Sequence, residues 1–576
     1  MKICFIWARS FRSFKNLNLN VGSSDKYHFD YASGVLEKTP LHPLPENFFA
    51  ESITDVMAIV GINGSGKSNA LELLCKIIKG PRNTIGTEYL IVFEFEGKLF
   101  CRHSLADGSS VIADFDLDIG PISEKIGPLK VIYFSNVFDE REHEFDNDVT
   151  DISLNKVYNM RNRYPRRLTG QFQKQIKFVA DEALFEKLEV PPPVRLKISM
   201  RNYFFNPISS RFTEYVDSPE FQLLNKSLKR MARESARTNF LILMCMGVLL
   251  DVVASYRRRH HAESNPRNDA LNEINTIFSK ASQVEHPGEV IDQILNYLEE
   301  VSEHEHFPLP LDRRFRGEEE LSKSWIEKRT DFIRTIPRWL NEDDIERLSL
   351  GNVTRSHFSV IFRIADRSKF STFASLFDEE QGFDIEWLGV SSGQKAYINV
   401  FASIAHELKK YQKNKSNILI VIDEGDLYLH PQWQMDFFDK LNIIISTLSA
   451  AGSKIQLILT SHSPFILSDL PKQNIAMLEP PAPFDNARGY QLHRQTFAGN
   501  LYDLFYGPLF LRSPAISNFA MKKIEEVRDA IRSNPEMSEN QLKFYLNFSN
   551  LIGHDLVRTS LIAEIENIKG KAGART

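Results

Sequence analysis

The chain has 576 residues, of which 42% are hydrophobic and 25% charged, and a formal net charge of −5. That length holds roughly two to four domains with cores of their own, in an ordinary globular composition. The charge excludes a surface coated in basic residues while leaving room for a local basic groove.

In chain order, residues 3–7 and 17–21 are of strand type and bracket a turn over residues 11–16 that carries Arg12 and Lys15. Charge this early (Arg9, Arg12, Lys15) excludes a signal peptide. Residues 56–60 form a short apolar strand, followed by Gly61-Ile62-Asn63-Gly64-Ser65-Gly66-Lys67-Ser68, which fits G-x-x-x-x-G-K-[ST]. Residues 69–80, opening on Asn69, predict a helix with Leu71, Leu74, Cys75 and Ile78 on one face, stopped by Gly80-Pro81. Strand, glycine-rich loop and helix start make an anion site: converging N–H groups and the helix dipole favour phosphate. Lys67 would reach the β- and γ-phosphates of a nucleoside triphosphate, and the Ser68 hydroxyl would ligate Mg²⁺. Residues 89–96 and 99–102 read as a hairpin turning at Gly97-Lys98, and 129–134 as a buried strand ending at Ser135-Asn136.

From about 146 to 345 the pattern turns helical. Its apolar run, residues 240–250, is about eleven residues long and too short to span a bilayer. Strand character returns at 357–364, 418–422 and 455–460, with a helix over about 432–450 between the last two. That β-α-β succession implies a layered α/β domain. Residues 496–576 read as a polar helical extension that would bind a partner. Cys4, Cys75, Cys101 and Cys245 lack the spacing of a zinc site or disulfide framework and predict reduced cytoplasmic thiols.

Residues 418–422 end in Asp423-Glu424. A strand end holds carboxylates rigidly, so Asp423 would hold Mg²⁺ through water and Glu424 would polarise the attacking water. Alone, such a pair also suits an ordinary surface strand end. Ser391-Ser392-Gly393-Gln394 opens a helix over 396–408. It reads either as a plain serine N-cap or as a second anion-binding end facing the nucleotide of another subunit. His462 follows the strand after the acids, as a γ-phosphate sensor or as a structural histidine.

These elements, in this order, resemble the ATP-binding-cassette ATPases, in the branch of chromosome-maintenance, RecF-like and lysogenization-defect proteins. The resemblance implies residues 61–68 as Walker A with the Asn63-Gly64 variant, Ser391 to Gln394 as signature, Asp423-Glu424 as Walker B and His462 as switch histidine. It puts Asn136 at the glutamine-loop position, lets Arg12 or Lys15 touch phosphates (a solvated charge being the alternative), and sets Gly425 where the family writes proline. Residues 6–16 and 495–504 look closer still to the PtuA ATPases of Septu and retron anti-phage systems. Those serve beside an HNH nuclease, PtuB, and in retrons also with a reverse transcriptase and msDNA. After His462 no Asp-x-Asp of a Toprim nuclease stands on an apolar strand, and His260-His261 and His304-Glu305-His306 lack HNH or zinc flanks. A nuclease would act in trans.

The expectation is a cytoplasmic, Mg²⁺- and ATP-dependent ATPase with an α/β head, a mixed sheet bearing the P-loop. Its halves lie at 1–145 and 346–495, split by a helical insertion at 146–345 and followed by the extension at 496–576. Heads would pair in even numbers, away from membranes. Two patches, around Arg161, Arg163, Arg166, Arg167, Lys174 and Lys177 and at Arg257, Arg258 and Arg259, read equally as nucleic-acid contacts or solvated helix faces. The competing readings are a repair or chromosome-organising ATPase acting on DNA, against which the insertion lacks sustained heptads, and a scaffold stabilised by ATP.

Overall fold

The apolar run ahead of the glycine-rich loop forms the strand Ile53–Gly61, an inner member of a seven-stranded sheet. The computed structural model describes residues 1–62, 64–79, 85–122, 126–137, 149–156, 169–201, 286–303, 323–339, 357–363, 384–478, 495–506, 516–534 and 537–573, with shorter pieces between. The sheet runs Val149–Asp151, Leu129–Ser135, Asn417–Asp423, Lys454–Ser461, Ile53–Gly61, Ile475–Leu478, Gly489–Tyr490. Every neighbouring pair is parallel except the last. Covered on both faces, such strands are apolar along their length, and Ile418, Leu419, Ile420, Val421 and Ile422 are all buried. The register sets Asp423 level with Ser135 on one side and Thr460 on the other, and Ser461 level with Val60. Four strands thus present their carboxyl ends at one edge, where open α/β sheets take their ligands.

A second, five-stranded sheet is ordered Phe14–Asn20, Lys2–Phe11, Tyr89–Phe95, Lys98–Ser104, Asp118–Pro121. Its first hairpin is tighter than expected. Phe11 pairs with Phe14, and Arg12 takes a φ of +51° in a two-residue turn. The helix Lys67–Lys79 buries Leu71, Leu74, Cys75 and Ile78 as predicted, and Leu73 and Ile77 as well. These residues join Ile3, Ile6 and Phe14 of the second sheet and Ile59, Leu419 and Ile458 of the first in one core. The hairpin Asp25–Asp30/Val35–Pro40, not read from sequence, belongs to a separate core, in which Phe29 meets Trp7 edge-on at 5.0 Å.

Within 146–345 the helices Thr169–Ala180, Pro287–Ser302 and Lys323–Trp339 are joined by a strand, Arg195–Arg201. Its alternation of Arg195, Lys197, Ser199 and Arg201 with Leu196, Ile198 and Met200 is a period of two, which suits a strand rather than a helix. It pairs antiparallel with His357–Arg363 and Asp384–Leu388. Most of the segment 212–257, the histidine pairs and most of both basic patches lie outside the described residues. Helix Thr169–Ala180 is tied to helix Ser392–Lys409 by Gln175, whose Nε2 donates to Asn399 Oδ1 at 3.0 Å while its Oε1 accepts from Trp387 Nε1 at 3.1 Å.

Residues 500–576 form a separate compact unit. Helices Asn518–Ser533, Glu539–Asn550 and Asp555–Gly573 share a core of Ile524, Ile531, Leu542, Ile552, Leu561 and Ile565. Ser538 and Gln541 close a capping box on the second. Among the described residues, no helix is long and apolar enough to cross a membrane.

Candidate functional site

The loop leaving Ile53–Gly61 turns through glycines with φ of +81° at Gly64 and +92° at Gly66, values that side chains disfavour. A Cβ on Gly66 would also stand 2.6 Å from Phe14 Cζ, so the first hairpin packs directly on the loop. Lys67 is 5% exposed and its Nζ donates to Gly61 O at 3.2 Å, folded back over the loop. Burial lowers its pKa, and the charges of Glu424 and Asp423 oppose that. Ser65 Oγ is buried with no partner among the described residues. The loop is thus a cradle of donors, with a cation at its base. Asn63 itself lies outside the described residues.

Beside it stand the ends of the neighbouring strands. Asp423 is 2% exposed; Thr460 Oγ1 donates to its Oδ1 at 2.5 Å, and Ser135 Oγ to its Oδ2 at 3.3 Å. The Ser68 hydroxyl also hydrogen-bonds Asp423. Burial raises the Asp423 pKa in spite of these bonds. Glu424 has a φ of +49°, and its N–H is held by Thr460 O at 3.1 Å and Thr460 Oγ1 at 3.0 Å. His462 Nε2 sits 3.1 Å from Glu424 Oε1. That hydrogen bond, ahead of the opposing burial, holds the Glu424 pKa below the usual value, so the carboxylate is ionised at neutral pH. Below them, Asp426 accepts from Ser461 Oγ at 2.7 Å.

Lys67, Ser68, Asp423, Glu424 and His462 are therefore brought together. The other predicted residues sit differently. Ser391 is an N-cap accepting from Gln394 N at 3.2 Å, and Gln394 Nε2 donates to Pro191 O at 2.8 Å. Ser391 and Ser392 are exposed; among the described residues no hydrogen bond or ion pair joins 391–394 to the Lys67 cluster. A Cβ on Gly393 would lie 3.1 Å from Tyr428 O, so this helix start abuts the loop after Glu424. Arg12 lies on the first turns of the Lys67 helix, donating to Asn69 Oδ1 at 2.8 Å and pairing with Glu72 at 2.8 Å. Asn136 is fully buried, its amide turned to the carbonyls of Leu427 and Gly425.

The Ser68 hydroxyl and the Asp423 carboxylate are hard oxygen donors in contact, and the carboxylate is a buried group whose raised pKa a cation would relieve. This donor set fits Mg²⁺. Sequence reading gave no role to Thr460, which binds both acids' strand end. The available signal was a polar residue closing each apolar strand, Thr460-Ser461 beside Asp423, but it gains meaning only once the two strands are known to be neighbours in register.

A parallel sheet carrying a glycine-rich loop beside an Asp-Glu strand end defines a nucleotide-binding protein of the ATPase class. The chain belongs to the AAA ATPase domain family, whose model matches residues 1–467. It is similar to the retron Ec83 probable ATPase of Escherichia coli, 24% identical over 243 residues, which are 41% of this chain and 42% of that protein. It is similar to the retron Vc95 probable ATPase of Vibrio cholerae serotype O1 biovar El Tor, 25% identical over 220 residues, 37% of this chain and 34% of the other. The Septu protein PtuA of Bacillus thuringiensis is 33% identical over 134 residues, 20% of this chain and 32% of PtuA. The matched part thus spans less than half the length of each of these relatives.

Proposed function

We propose that the chain is an ATP-hydrolysing head of the ATP-binding-cassette type that closes on a second copy and switches a partner nuclease in anti-phage defence. The convergence of Lys67, Asp423, Glu424 and His462 at one sheet edge carries the ATPase part of this reading. Lys67 neutralises phosphate charge, the loop N–H groups orient the phosphates, and Ser68 and Asp423 hold Mg²⁺, which when bound offsets charge on the phosphate oxygens. Glu424, ionised at neutral pH, takes the proton of the attacking water, and His462 fixes its carboxylate and faces the γ-phosphate.

The exposed serine end at Ser391–Gln394 is read as completing the site of the opposite copy, with two ATP molecules between an even number of heads. We read 1–145 and 346–495 as the head, which also takes in the edge strand Val149–Asp151, the rest of 146–345 as the insertion and 496–576 as the partner-binding extension. The similarity to two retron probable ATPases and the Septu protein PtuA supports a defence role, which we place in the cytoplasm. There the effector is an HNH nuclease of PtuB type, joined in a retron by reverse transcriptase and msDNA. Co-purification with the products of the neighbouring genes, for wild type and Glu424→Gln, tests this. A nuclease that comes along and changes activity in the variant supports the switch. A protein that purifies alone and binds duplex DNA in an ATP-dependent way contradicts it.

A further inference from the structure

Glu424 is held in a backbone conformation that side chains seldom adopt, with a φ of +49°. Such a residue keeps its place only when its surroundings over-determine it. Thr460 supplies one restraint, on the Glu424 N–H. Leu427 N–H donates back to Glu424 O at 3.0 Å. Further restraints come from one residue on the neighbouring strand end. Asn136 N–H donates to Asp423 O at 3.1 Å, immediately before Glu424. Its side-chain Nδ2 donates to Leu427 O at 2.8 Å and Gly425 O at 3.4 Å, immediately after it. One fully buried residue therefore grips the chain on both sides of Glu424, with its backbone N–H before it and its side-chain amide after it. Only the nitrogen can face carbonyls, so the orientation is settled, and Oδ1 is left buried without a donor among the described residues. A buried acceptor left unmatched is a cost, which the grip on the carbonyls has to offset.

We infer that Asn136 is a positioning residue for hydrolysis, clamping the Asp423–Leu427 backbone so that the Glu424 carboxylate stands where the attacking water is activated. The clamp reaches further. Leu427 leads to Tyr428, whose carbonyl abuts Gly393, so the Ser391–Gln394 helix start and the base share one loop. Asn136 acts through Glu424 and through no contact with the phosphates. This rests on the reading of Glu424 as general base.

The test is ATP binding and turnover for the full chain carrying Asn136→Ala, Asn136→Asp, Glu424→Gln and the double variant Asn136→Ala/Glu424→Gln. Asn136→Asp keeps the size and loses the donor, so it serves if the alanine variant melts early. The expected result is Mg-ATP affinity within about threefold of wild type, with kcat down about thirtyfold in either Asn136 variant. The double variant should turn over no more slowly than Glu424→Gln alone, because a residue acting through the base has nothing left to position. Normal kcat in both Asn136 variants, or a further loss in the double variant, overturns the inference while Glu424 keeps its role. An active Glu424→Gln overturns both.

Discussion

His462 Nε2 stands 3.1 Å from Glu424 Oε1, across two strand ends that the parallel register places side by side. The bond is the leading cause of the depressed Glu424 pKa, with Lys67 assisting and burial opposing. In His462→Ala burial is no longer outweighed, and the Glu424 pKa rises. A base works above its own pKa, so the acidic limb of the kcat profile moves to higher pH. Turnover at neutral pH falls too, on the order of ten- to a hundredfold, because the carboxylate loses the partner that fixes its position. The profile from about pH 4 to 8 is the measurement; a lower rate with an unmoved limb would show that His462 does not shift the Glu424 pKa.

Asp426 is 4% exposed, and burial pushes its pKa up to about 6 in spite of the Ser461 hydroxyl. A raised folded-state pKa means stability that is full below the ordinary carboxylate value and is lost as pH climbs through about 6. Asp426→Asn removes the ionisation and keeps an acceptor for Ser461. It should therefore be more stable than wild type at pH 8, by at most about 3 kcal/mol, with the advantage shrinking toward pH 5. Melting both proteins at the two pH values decides it. An equal loss at both would mean that packing, not charge, governs this site.

The ATP-binding-cassette resemblance leads to the expectation of proline at Gly425, and the packing there leaves no room for a side chain. A Cβ there would meet Ile422 Cγ2 at 2.6 Å and Phe437 Cζ at 2.8 Å. Gly425→Ala should cost about 1–3 kcal/mol from overpacking and lower kcat by shifting the adjoining base. An unchanged melting temperature would refute the steric argument.

The cluster was legible because its signals are local. The glycine-rich loop carries its own strand and helix, and Asp423-Glu424 and His462 each close an apolar run. Residues that depend on which strands are neighbours were not legible in their roles. Asn136 was placed at a strand end, but its turn toward Leu427 follows from the pairing of Leu129–Ser135 with Asn417–Asp423. Arg12 was flagged for phosphate, yet the two-residue turn sets it against Glu72, whose pKa falls to about 2: burial opposes this, but bonds from His143 and Lys76 and the charge of Arg12 outweigh it. The strand Arg195–Arg201 shows its period of two plainly. It was submerged in a long stretch of helical character, and its partners lie more than a hundred residues away in His357–Arg363 and Asp384–Leu388.

ATP hydrolysis at this sheet edge is tested most directly by single-turnover kinetics of Glu424→Gln against wild type, with Mg-ATP binding measured on the same samples. Glutamine keeps the shape and the reach to His462 but cannot take a proton. The account predicts binding within a few-fold of wild type and a hydrolysis rate lower by about two to three orders of magnitude. A variant that binds and hydrolyses ATP at the wild-type rate would contradict it.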